Sequence, residues 1–218
     1  MKISTIILTF AAFALMAPAA AYSQTFIIND KDGWTNIRKA PNARAEIVGQ
    51  VHKHQVFFTT TNCGDESHTG NWEPVNVYFI SEDRRLYGYI FKNNITNVKS
   101  FPMIEGSGDF MWHGKSDKDS SVITARNDSI TVTMNLVRKV DPNYGPFTVA
   151  EEVFVTNGKK RTVIQSGMNG VGSLRLYIGN DGALYLVISN SSDGEPMEVW
   201  YTIVDGEVIY HSMYYPGC

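Results

Sequence analysis

Ile130-Thr131-Val132-Thr133-Met134-Asn135-Leu136 is apolar at every second position. A period of two puts one set of side chains on each face of an extended strand, so the stretch reads as a half-buried β-strand. The same pattern recurs on either side of it. Leu174-Arg175-Leu176-Tyr177-Ile178 and Leu184-Tyr185-Leu186-Val187-Ile188 flank Gly179-Asn180-Asp181-Gly182, a strong hairpin signal. Val199–Val204 and Glu207–Met213 flank Asp205-Gly206, which suits a tight primed turn. Asn157-Gly158 plays that part between Val153-Phe154-Val155 and Thr162-Val163-Ile164. Almost no segment has a helical period; Ser116–Ala125, polar and then mixed, is where the second half is expected to hold its only short helix. The predicted fold class is all-β, with this half an antiparallel meander curled into a barrel or sandwich.

The opening residues predict export. Lys2 supplies a positive start, Ile6–Ala17 is almost wholly apolar, and Pro18-Ala19-Ala20-Ala21 supplies small residues for cleavage. This is the layout of a secretory signal peptide over residues 1–23, too short for a membrane span. Cleavage after Ser23 or after Ala21 both fit, and no Cys lies near either point to take a lipid. The mature chain is expected to be periplasmic or secreted, without a transmembrane anchor. About 195 residues remain, enough for one large domain or two of ordinary size. A boundary falls at Ser100–Gly108, where Phe101-Pro102 breaks any strand and Glu105-Gly106-Ser107-Gly108 is loop composition. The mature chain thus divides into 24–99 and 104–218.

Removing the leader takes away Lys2 alone, so 19 basic residues become 18 against 22 acidic ones, a net of about −4. No basic run of the kind that displaces counterions from phosphates is present, and Lys159-Lys160-Arg161 reads as a solvated turn. Nucleic acid is excluded as a partner. Export permits a disulfide between Cys63 and Cys218; a free thiol at Cys63 with a frayed carboxyl terminus is the other reading.

In the first half, Asp32-Gly33-Trp34-Thr35-Asn36-Ile37-Arg38 is followed by the turn Lys39-Ala40-Pro41-Asn42. Ile47-Val48-Gly49-Gln50-Val51, Gln55-Val56-Phe57-Phe58, Asn71-Trp72-Glu73-Pro74-Val75 and Tyr87-Gly88-Tyr89-Ile90 come next. In that order these segments, between Asp30 and Val98, resemble the bacterial SH3-like family. The resemblance implies a small β-barrel over 24–99 that binds peptidoglycan or a peptide. The residues suited to that task are Trp34, Trp72, Tyr87 and Tyr89, since a flat ring packs on a sugar or peptide face while its edge hydrogen-bonds. Trp72 also reads as a core residue, and strand alternation places Tyr87 and Tyr89 on one face. Asn36 and Arg38 read as fold-specifying, and Gly88 as a point where two chains approach closely. The long loop Thr59–Gly70 and the lengthened hairpin Val77–Arg85 depart from the family's compact form.

Nothing in the sequence reads as catalytic. The only Cys of the second half is the terminal Cys218, and Cys63 with His68 lies in a polar loop. His52 and His54 alternate on a possible strand end but lack a third metal ligand at fixed spacing; His113 and His211 are isolated. Glu151-Glu152 and Glu195/Glu198 read as solvated faces rather than a glycosidase pair. Gly167-Met168-Asn169-Gly170-Val171-Gly172 lacks a strand–loop–helix context and reads as a flexible connection rather than a phosphate loop. No metal and no cofactor are expected. The expected function is that of a non-catalytic envelope binding module. The alternative is an exported inhibitor or immunity-type protein whose second half blocks an enzyme or toxin. Trp200, Tyr201, Tyr210, Tyr214 and Tyr215 crowd its last strands, to meet a partner, fill a barrel or seal the contact between halves.

Overall fold

The computed structural model describes residues 24–59, 70–79, 84–104, 108–109, 120–143, 145–190 and 197–214. Residues 1–23, where a signal peptide is expected, both cysteines (hence any disulfide between them), His68, His113, Glu195 and Tyr215 lie outside these residues. The chain is almost entirely β, as the alternation predicts. Its first strands are β1 (Thr25–Ile28), β2 (Trp34–Arg38), β3 (Ile47–His52), β4 (Phe57–Thr59), β5 (Trp72–Phe79), β6 (Arg84–Phe91) and β7 (Ile95–Asn97). They form one curled antiparallel sheet in the order β3-β2-β6-β5-β4-β1-β7. Next come β8 (Gly108–Asp109), β9 (Ser120–Asn127), β10 (Ile130–Asp141), β11 (Gly145–Asn157) and β12 (Lys160–Asn169). The last are β13 (Val171–Ile178), β14 (Leu184–Asn190), β15 (Met197–Val204) and β16 (Glu207–Tyr214). β9 to β12 make a second sheet, and β8 joins β13 to β16 in a third.

The third sheet is the middle layer. One of its faces, bearing Leu174, Leu176, Leu186, Val199, Tyr201 and Ile203, packs against the second sheet around Met134, Leu136 and Val153. Its other face, bearing Tyr177, Tyr185, Val187 and Trp200, packs against Ile27, Val56, Phe58 and Val98 of the first sheet. The sequence explains this. Leu184-Tyr185-Leu186-Val187-Ile188 is a continuous apolar run, the composition of a strand covered on both faces, and all five residues are buried. Of the destinations open to the second half's aromatics, Tyr177, Tyr185 and Trp200 therefore seal the seam between halves, while Tyr201 enters the sandwich core.

The first sheet also serves two cores. Phe26, Ile28 and Phe57 turn into its curl with Ile37, Val51, Val75, Val77 and Ile90. The alternate residues Ile27 and Phe58 face the seam, where Phe58 stacks on Tyr214 at 4.7 Å.

Two local expectations are corrected. Ser120–Asn127 is strand, not helix: Asp128, at φ 46°, turns the chain back so that β9 ladders along β10 from Asn127↔Ile130 to Ser120↔Val137. Val122-Ile123-Thr124 is β-branched and suits that ladder. The 167–172 glycine stretch is no flexible connection. β12 runs to Asn169 and β13 starts at Val171, and Gly170 between them, at φ 67°, donates its N–H to the Thr148 carbonyl at 2.7 Å. It is the corner at which the chain crosses between sheets. The Asp205-Gly206 turn has both residues at positive φ, as a type I′ hairpin requires.

Candidate functional site

β5, β6 and β2 lie side by side, and their register decides which rings share a face. Trp72 pairs with Phe91, Pro74 with Tyr89, Asn76 with Tyr87 and Tyr78 with Arg85. Residues directly opposite each other on antiparallel strands point the same way. The intervening Val75, Val77 and Ile90 are fully buried in the curl, so Trp72, Tyr78, Tyr87, Tyr89 and Phe91 face outward. Arg38 of β2 pairs with Tyr89 and extends this face across a third strand.

Gly88 sets the arrangement. A Cβ built on it would lie 2.6 Å from the Arg38 carbonyl oxygen and 2.6 Å from Ile37 Cγ2. With no side chain there, β2 presses directly onto β6, and the residues on either side, Tyr87 and Tyr89, turn outward together. Tyr87 is 61 % exposed and Tyr89 half-buried. Trp72 is neither a core residue nor fully open: it is half-buried on the outer face, with its ring edge-on to Phe91 at 5.6 Å.

Trp34, 40 % exposed, starts β2 opposite His52. It follows Gly33, whose φ of +78° only glycine adopts without strain. Thr35 and Ile37 are buried, so Trp34, Asn36 and Arg38 share the outward side. Asn36 accepts from the Gln50 side chain at 3.2 Å, and Arg38 donates to the Ala45 carbonyl at 2.8 Å, tying down the loop after β2. The strand rise puts Trp34 about 20 Å from Tyr87. The four sequence-predicted residues thus occupy one sheet face, with Trp34 at one end and Tyr87 at the other. Phe91 and Tyr78 complete the aromatic face. Their positions in the alternation of β6 and β5 were the available signal for them.

Other polar groups serve the seam. His52 ends β3, whereas His54 sits in the following turn at φ 69°, so the two do not share a side of one strand. His54 Nδ1 lies 3.1 Å from the Tyr185 hydroxyl and Nε2 3.7 Å from Asp181, which also pairs with Lys53 at 2.9 Å. One tautomer serves both neighbours: the hydroxyl donates to Nδ1, and Nε2–H faces the carboxylate. The His54 carbonyl accepts from Thr202 Oγ1 at 2.7 Å, the Val56 carbonyl from Ser212 Oγ at 2.8 Å, and Lys99 pairs with Glu198 at 3.2 Å. Away from the seam, Lys160 pairs with Glu207 between the second and third sheets, and Arg161 with Glu152 within the second. Among the described residues no three His, Cys, Asp or Glu side chains converge as a metal site.

Burial pushes His54 below its ordinary pKa of 6.5; Asp181 opposes the shift and Lys53 adds to it. Burial lowers His211 as well, where its ring stacks on Tyr201 at 4.6 Å. Below pH 6.5 the unfolded chain therefore binds protons that the folded chain resists. Stability is expected to be flat above about pH 7.5 and to fall as pH drops through 6.5 toward the folded values. Thermal unfolding followed across this range checks the sign; a midpoint that rises as the pH falls would contradict it.

No family model, curated protein or solved structure matches the chain.

Proposed function

We infer that this is a non-catalytic exported binding protein. Its first half is an SH3-like domain that holds peptidoglycan, or a peptide of the cell envelope, on Trp34, Trp72, Tyr87 and Tyr89. The carrying observation is the outward aromatic face, which Gly88 keeps in register while the apolar residues between the rings fill the curl. Rings at several depths on a rigid sheet give a flat ligand stacking area without ordering flexible side chains at the moment of binding. Arg38 and Asn36, fixed by their own hydrogen bonds, add polar groups at the centre of the same face. The export-type opening residues and the ordered motifs of the first half support an envelope ligand, and peptidoglycan offers both sugar and peptide surfaces.

Trp34 reports on this reading. Soluble peptidoglycan fragments titrated into the mature chain are expected to change tryptophan emission saturably, with Trp34→Phe and Trp72→Phe each reducing that change and the double variant removing most of it. Trp200, sealed in the seam, should not respond. An emission unaffected at any fragment concentration counts against the reading.

A further inference from the structure

The sequence holds two Asn-Gly pairs, Asn157-Gly158 and Asn169-Gly170. In such a pair the glycine's backbone nitrogen can reach the side-chain carbonyl carbon of the asparagine, because no Cβ on the following residue stands in its way. The fold treats the two pairs differently. Asn157 ends β11 and pairs with Lys160 across the hairpin, so the closing hydrogen bonds of the turn fall on those two residues. Gly158, exposed at φ 57°, is the first central residue, and its nitrogen takes no part in them. Gly170 is at positive φ too, but its N–H is held by the Thr148 carbonyl at 2.7 Å.

Asn157 also closes one end of the sandwich. Its Nδ2 donates to the Asp205 carbonyl at 2.9 Å, joining the tip of the β11–β12 hairpin to the tip of the β15–β16 hairpin. The side chain rests against Gly206, where a Cβ would lie 2.6 Å from both Cβ and Nδ2 of Asn157. The Lys160–Glu207 pair joins the same two hairpins. Together these contacts clasp the second sheet to the third. The clasp depends on a neutral amide at position 157. A carboxylate there has no N–H for the Asp205 carbonyl, and it brings a negative charge to a tip that already carries Asp205 and Glu207.

We propose that Asn157-Gly158 is a site of spontaneous modification by water, that its conversion releases the clasp, and that Asn169-Gly170 is protected. The Gly158 nitrogen gives its proton to solvent base and bonds to Asn157 Cγ. The Cγ–Nδ2 bond breaks, and the amide nitrogen takes up a proton and leaves as ammonia. Water then opens the cyclic imide at one or the other carbonyl. One opening gives aspartate; the other gives isoaspartate, which lengthens the main chain by a methylene at position 157. Either product is an acid, so the chain gains one negative charge at the clasp. At Asn169 the same attack first requires the Gly170–Thr148 hydrogen bond to break. The site involves the second and third sheets alone and is independent of the peptidoglycan reading.

The test is incubation of the mature full-length chain at mildly alkaline pH in water enriched in heavy oxygen, followed by peptide mapping with mass spectrometry. Label at position 157 is expected, as a mixture of aspartate and isoaspartate. Its rate should rise with pH, because the attacking nitrogen must lose its proton. Label at position 169 should appear about tenfold more slowly, equivalent to roughly 1.4 kcal/mol, the order of one backbone hydrogen bond. In urea the two positions should label alike, which assigns the difference to the fold. The aged chain and Asn157→Asp should both show faster hydrogen exchange at the β11–β12 and β15–β16 tips, with β1 to β7 unchanged. No label at position 157 in the folded chain, or labelling there no faster than at position 169, overturns the proposal. Exchange at the two tips that is the same in Asn157→Asp as in the parent overturns it equally.

Discussion

Trp200→Ala is expected to destabilise the chain by about 3–5 kcal/mol, the cost typical of truncating a buried tryptophan. Trp200 is fully buried, stacks on Tyr177 at 6.1 Å and donates its indole N–H to Glu198 at 3.0 Å. Glu198 in turn pairs with Lys99 of the first half. Truncation therefore opens a void in the seam and frees an acceptor that was part of the cross-half polar network. With ordinary domain stabilities of about 5–15 kcal/mol, such a loss is a third or more of the total. The effect should also be shared. The seam cluster draws on β1, β4, β13, β14 and β15 together, so hydrogen exchange should quicken in both the first and third sheets. Protection unchanged in β1 and β4 would show that the halves are not stabilised through this contact.

The second large effect is expected at Gly88. Gly88→Ala puts a methyl 2.6 Å from the Arg38 carbonyl and from Ile37 Cγ2. One of these neighbours is backbone and the other a fully buried β-branched side chain. Neither can move away without parting β2 from β6, and overpacking of this kind costs about 1–3 kcal/mol. Gly49→Ala is the informative comparison. Its methyl would meet Leu86 Cδ1 even more closely, at 2.3 Å, but that atom is the free end of a flexible, half-buried side chain. The smaller loss is therefore expected at the closer contact. Denaturant midpoints of the two variants decide the matter, and a larger effect at Gly49 would mean that Gly88 does not hold the sheet as described. Since Tyr87 and Tyr89 are re-aimed when β6 shifts, Gly88→Ala should also weaken ligand binding.

Strands were legible wherever one face is solvated. Ile130–Leu136 alternates because β10 buries Val132, Met134 and Leu136 on one side. The primed turn at Asp205-Gly206 was legible because few residues tolerate two positive φ values in succession. β9 was obscured because its polar start masks the period, and its pairing depends on a turn three residues beyond the stretch. The run Leu184–Ile188 held information about layering that alternation does not carry: an uninterrupted apolar strand needs cover on both faces, hence a third layer. The close approach at Gly88 and the shared face of Tyr87 and Tyr89 follow from local spacing; that this face is the outer one follows from the register of β5 and β6. The seam and the left-handed turn at His54 do not follow from spacing: the seam joins strands from distant parts of the chain, and His54 meets Tyr185 131 positions away, so their geometry arises only once the sheets are stacked.

The most direct test is co-sedimentation of purified peptidoglycan sacculi with the mature chain and with its Tyr87→Ala/Tyr89→Ala variant. Both tyrosines lie on the outer face, so the variant should fold and melt much as the parent does. The expected result is a parent that sediments with sacculi and a variant that stays in solution. Equal sedimentation of the two, or none by the parent, would contradict a wall-binding role for the aromatic face.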